Sequence, residues 1–98
     1  MNEAHEILAL AFVEPFPGKQ AECEALLKSV GEFIARKQYG RDALYRDGQN
    51  PGGLVLARWW RSAEARAQAQ EDPEMHNFWR DAGLLCRVVK VYEELIPA

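Results

Sequence analysis

His76 and Arg80, with the aromatic residues Trp60, Phe78 and Trp79, are the side chains of this 98-residue sequence best suited to chemistry. A histidine titrates near neutrality and can take the proton of a phenolic oxygen. An arginine can hold the oxyanion that is left, and indole or phenyl faces stack on an aromatic ring. His76 and Arg80 are four residues apart, so on a helix they share one flank. Such a set could hold an aromatic ring and act on the proton and charge of its oxygen substituents. The plainer alternative makes the aromatics core residues and His76 a surface or capping histidine that stabilises Asp72, four residues before it.

Other candidates also have structural alternatives. Arg58 stands among apolar strand residues, so it needs a carboxylate or an anionic ligand; a pair with Glu93 or Asp42 is favoured. Tyr45 and Tyr92 could donate to a quinone oxygen or to the backbone. Cys23 and Cys86 have no neighbouring base, and neither CxxC nor Cys/His spacing for zinc occurs. They are expected to be reduced, buried thiols, and no metal, haem, flavin or other cofactor is expected. His5, beside the terminus, is given no role.

The elements that must position these residues follow from hydrophobic period. Glu6–Val13 is apolar on both alternating faces and reads as a strand dry on both sides. Cys23, Leu26, Leu27, Val30, Phe33 and Ile34 form one stripe, predicting a helix over 19–38. Glu24/Lys28 and Glu32/Arg36 are spaced to pair on its wet side, and Gly40 suits its left-handed cap. Gly31, unfavourable mid-helix, suggests a close approach. A second strand over 41–47 and a third over 54–60 should form a hairpin across the turn-forming Asn50-Pro51-Gly52-Gly53 segment. Ser62 caps a short helix; Asp72 caps the next, with Pro73 at its first position and Gly83 at its end. Residues 85–95 read as the last strand.

The order β-α-β-β-α(α)-β predicts one α+β domain over 1–98, with a ferredoxin-like antiparallel sheet and helices on one face. Helices cover one sheet face, but the strands are apolar on both. A second copy is the simplest cover, so a homodimer is expected. The 48% hydrophobic content is high for so small a core. Net charge is −3 with mixed signs, which excludes the basic footprint of a nucleic-acid binder. The opening Met-Asn-Glu-Ala-His-Glu is acidic where a secretory signal is basic, and no apolar run approaches the ~20 residues of a membrane span. A cytoplasmic location is expected.

In motif order the chain resembles the antibiotic biosynthesis monooxygenase family. Pro17-Gly18-Lys19 matches the start of the family's long helix, Trp60 its Trp-ended third strand, and Pro73 with Phe78 its Pro-led helix. The resemblance spans nearly the whole chain and implies two copies pairing sheet to sheet as a dimeric α/β barrel. It also implies cofactor-independent oxygenation of phenols or quinols, or haem degradation. Ala11, Gln68 and Phe78 occupy the positions of the haem degraders' Asn, Trp and His, so the haem activity is not expected. Against the phenol-oxidising members, Trp60 matches, Leu56 and Arg66 replace an Asn and a Tyr, and Arg80 lies about one position off. Many members carry a His on the short helix, where Ala69 or Gln68 stands here. The expected function is a monooxygenase of a small quinol-like or phenolic aromatic. His76 and Arg80 would be its catalytic residues, and Trp60, Trp79 and Phe78 would bind the substrate. The alternatives are a non-catalytic binder of a small aromatic and a structural dimer whose pocket its own side chains fill.

Overall fold

The computed structural model describes residues 5–98. The acidic opening set against a secretory signal includes residues 1–4, which lie outside the described residues. Seven elements follow one another: β1 (Ile7–Pro15), α1 (Gln20–Arg36), β2 (Gly40–Arg46), β3 (Leu54–Trp60), α2 (Ala63–Gln70), α3 (Pro73–Gly83) and β4 (Cys86–Leu95). The four strands make one antiparallel sheet in the order β2-β3-β1-β4. This is the expected α+β, ferredoxin-like arrangement, with the sheet open at both edges.

The capping residues act as their chemistry requires. The Ser62 hydroxyl accepts from the Ala65 N–H at 3.0 Å, and Asp72 Oδ1 accepts from the Glu74 N–H at 2.9 Å, with Pro73 opening α3. Helix α1 ends otherwise than expected. Gln38 takes the left-handed conformation, with φ of 61°, and Gly40 has already joined β2 opposite Trp60. A Cβ on Gly40 would collide with the Trp59 carbonyl oxygen, so the glycine lets β2 close on the end of β3. Glu24 also departs from expectation. It forms a two-pronged pair with Arg46 of β2, both contacts at 3.1 Å, which pulls its carboxyl below the ordinary range.

Strand alternation divides the sheet into two faces. Ile7, Ala11 and Val13 of β1 face the helices, where Val13 joins Cys23, Leu27, Leu54 and Cys86 in one buried cluster. A second cluster gathers Val30, Phe33, Ile34, Trp60, Ala69 and Met75. The opposite face carries Leu8, Leu10 and Phe12, with Val55 and Trp59 beside them in register. The Cα extents of 49 × 33 × 17 Å allow one helix layer on one sheet and nothing beyond. Within one chain β3 is buried toward the helices at Leu54, Leu56 and Trp60, whereas Leu8, Leu10, Phe12, Val55 and Trp59 on the other face stay partly exposed. Phe12 and Tyr92 meet edge to face at 6.2 Å on the bare side, and Tyr45 is exposed. Tyr45 and Tyr92, considered as donors to a ligand oxygen, point away from the helices.

Candidate functional site

The two core clusters do not merge. Between them a cavity of about 330 Å³ opens under the helices, walled by Val30 and Trp60 from one cluster and Val13, Leu27 and Cys86 from the other. Its size falls at the lower end of small-molecule pockets. Trp60, at the end of β3, lies 6% exposed with its indole turned to the helices; Trp59 turns to the bare face beneath the Arg41 guanidinium, 4.2 Å away. One indole thus serves the cavity and the other the open sheet.

Arg58, two residues before Trp60 on the same face, also lines the cavity. Its Nε and one terminal nitrogen donate to the two oxygens of Asp42 at 2.7 and 2.8 Å. Asp42 is directly opposite on β2 and fits beneath Gly31 of α1, where a Cβ would stand 3.2 Å from the aspartate Cβ. The close approach suggested by Gly31 is to this side chain rather than to backbone. Of the two proposed partners Asp42 is the one used, and Glu93 remains on the cavity wall. The guanidinium lies 5.1 Å from the Trp60 ring centre, so it presents a fixed positive edge beside an indole face.

Helix α2 buries Ala65 and Ala69, four residues apart. Arg66 and Gln70, one residue further round at the same spacing, line the cavity. In the sequence Arg66 stands out only as the replacement for a tyrosine of the family that the chain resembles. Its register against the buried alanines was the signal that could have placed it. Helix α3 contributes Phe78, packed 5.3 Å from Phe33, and Trp79, which is 45% exposed at the cavity mouth. Strand β4 borders the open side with Val88 and Val91, 54% and 51% exposed, and with the exposed Glu93; an irregularity in its pairing with β1 keeps both valines on the helix side.

Trp60, Phe78 and Trp79 are therefore brought together, whereas His76 and Arg80 are not on the cavity wall. His76 is exposed, stacks on the outer side of Trp79 at 5.5 Å, and its Nε2–H donates to the Gln70 carbonyl at 2.6 Å. It does not cap Asp72 with its ring. That work falls to Tyr39, whose hydroxyl donates to Asp72 Oδ2 at 2.7 Å, and to Lys37 at 3.3 Å. Arg80 is exposed beside Asp81, 3.7 Å away. Cys23 and Cys86, distant in sequence, share one cluster; burial, with Cys86 adjacent, pushes the Cys23 thiol up to about 12, and the Cys86 thiol donates to the Ala82 carbonyl. A thiol so raised stays protonated at neutral pH and is a poor nucleophile. Among the described residues no three His, Cys, Asp or Glu side chains gather as a metal site. No helix among them is long and apolar enough to cross a membrane.

The Asp72 cluster carries a pH prediction. The Tyr39 hydrogen bond, with Glu74 N–H and Lys37, holds the Asp72 carboxyl below its ordinary value. A depressed folded-state pKa gives stability that is present above the unfolded carboxylate pKa and lost as pH falls through the folded one. Asp72→Asn is expected to lower the melting temperature at pH 7 and to flatten its fall on acidification. Melting curves from pH 7 to pH 2 check this; an acid limb as steep as wild type would remove Asp72 from the linkage.

No protein-family model matches the sequence, and no curated protein matches it. Solved structures do share the fold. SnoaB, a cofactor-independent oxygenase from Streptomyces nogalater, superposes with a TM-score of 0.78 at 19% identity, over 96% of this chain and 97% of that one. A Chloroflexus aurantiacus protein provisionally named an antibiotic biosynthesis monooxygenase matches with a TM-score of 0.77 at 14% identity, over 95% and 93% of the two chains. A Bacteroides thetaiotaomicron protein of unknown function, described as a possible oxidoreductase, matches with a TM-score of 0.80 at 11% identity, over 90% and 94%. This chain shares its fold with these proteins.

Proposed function

We propose that this chain is a cytoplasmic, homodimeric member of the antibiotic biosynthesis monooxygenases that oxygenates a small quinol-like or phenolic aromatic without a cofactor. The observation that carries the reading is the open cavity, with Trp60, Phe78 and Trp79 for stacking and two guanidinium groups, Arg58 and Arg66, on an otherwise apolar wall. An unpaired cation beside a bound hydroxyl, here Arg66, favours its ionised form, so the proton leaves to water at the mouth and the anion stays. The anion then passes one electron to dioxygen and the radical pair joins to form a carbon–oxygen bond. Breaking the O–O bond releases one oxygen atom as water, with both reducing equivalents supplied by the substrate. The apolar wall keeps water from quenching the intermediates.

A second reading, a non-catalytic binder of a small aromatic, is favoured by the placement of His76 outside the wall. Oxygen uptake separates the two. The protein is expected to consume oxygen with a dihydroxyaromatic faster than buffer alone. His76→Ala is expected to change that rate less than about 10-fold, because the ring reaches the cavity only through Trp79. A loss of ~10²-fold or more at unchanged melting temperature would return the base to His76. No uptake with any hydroquinone across a range of pH would leave the binder.

A further inference from the structure

We propose that Arg66 makes the cavity a receptor for aromatic monoanions, reading a carboxylate or an ionised hydroxyl on the rim of the ring system. The inference rests on the cavity being a ligand site, as proposed above, but not on turnover.

Arg66 differs from Arg41, Arg58 and Arg80 in what it lacks. Arg58 spends two donors on Asp42. Arg80 and Arg41 each stand beside a carboxylate on the surface. Arg66 lines the cavity half-buried, and among the described residues its side chain has neither a hydrogen bond nor a carboxylate within ion-pair distance. Helix α2 holds it in place by burying Ala65 and Ala69 beside it, and Gln70 on the next turn adds an amide to the same wall. A guanidinium held against apolar surface with its planar fork free matches a two-oxygen or single-oxygen anion.

On β4 the exposed Glu93 is the one unpaired carboxylate on the wall among the described residues. With Arg58 neutralised by Asp42, the wall has a positive pole on α2 and a negative pole on β4. A ring stacked among Trp60, Phe78 and Trp79 would place its anionic oxygen toward Arg66. Glu93 would accept from a neutral hydroxyl at the far end and repel a second anion there. The favoured ligand is thus a monoanion, the ionisation state from which a quinol transfers an electron.

Titration of intrinsic tryptophan fluorescence and calorimetry at pH 7 test this with three naphthalene-sized probes. These are 2-naphthoate, 2-hydroxy-1,4-naphthoquinone (ionised through its hydroxyl), and neutral 2-naphthalenemethanol. Both anions are expected to bind wild type at least 10-fold more tightly than the alcohol. Arg66→Met, which keeps the stem against the helix, is expected to raise both anion Kd values about 10-fold or more and to leave the alcohol within 2-fold. Arg66→Lys should restore part of the loss. If only one anion responds to Arg66→Met, its oxygen chemistry is the one read. Equal affinity of wild type for anions and alcohol, or anion binding unchanged by Arg66→Met, overturns the proposal. Absence of oxygen uptake would overturn the oxygenase reading and leave this one standing; failure of all three probes to bind would overturn both.

Discussion

Sedimentation equilibrium at micromolar concentration is expected to give about twice the 11.1 kDa chain mass, and Phe12→Arg is expected to return the single-chain mass. The reason lies on the side of the sheet away from the helices. Leu8, Leu10 and Phe12 run along β1, flanked by Val55 and Trp59 on β3. On the outer strands, Tyr45 is 56% and Tyr92 38% exposed. Contiguous apolar surface on this scale marks an association site, and a sheet face is self-complementary across a twofold axis. An arginine in place of Phe12 would put a charge at the middle of the dry contact, where its desolvation opposes pairing. A wild-type chain that stays monomeric with native-like tryptophan fluorescence would remove the dimer.

Asp42→Ala is expected to be the most damaging single substitution near the cavity, costing about 3–5 kcal/mol. The Asp42 and Arg58 side chains are only 6% and 11% exposed, so removing the carboxylate leaves a guanidinium without its counter-charge in an apolar wall. The double variant Asp42→Leu, Arg58→Met should recover most of the loss, because an apolar pair of similar volume need not be desolvated as ions. For a domain of this length each kcal/mol moves the melting temperature by roughly 4–8 °C, so thermal melts resolve the contrast. Equal loss in the single and double variants would mean that packing beneath Gly31, rather than charge, holds this corner together.

The cavity and the bare sheet face divide what the sequence could tell from what it could not. Element order, the third-strand boundaries and the caps at Ser62 and Asp72 were legible because each depends on neighbours within a turn or a strand. The opposed faces of Trp59 and Trp60 were legible for the same reason, since strand side chains alternate whatever the fold. The end of α1 was misjudged at Gly40, because the demand on that glycine comes from Trp59, nineteen residues away across a strand pair.

The sequence by itself determined that the strands carry apolar side chains on both faces. Only the tertiary structure decided which flank of each helix met open space. One residue is about 100° of helix rotation, so the docking angle that sinks Met75 fully into the core leaves His76, the next residue, in solvent. The same rotation on α2 brings Arg66 beside buried Ala65 and onto the cavity wall. Spacing within an element is local and survives without the fold; the gap between two core clusters, and the charge that ends up beside it, exists only once sheet and helices are packed.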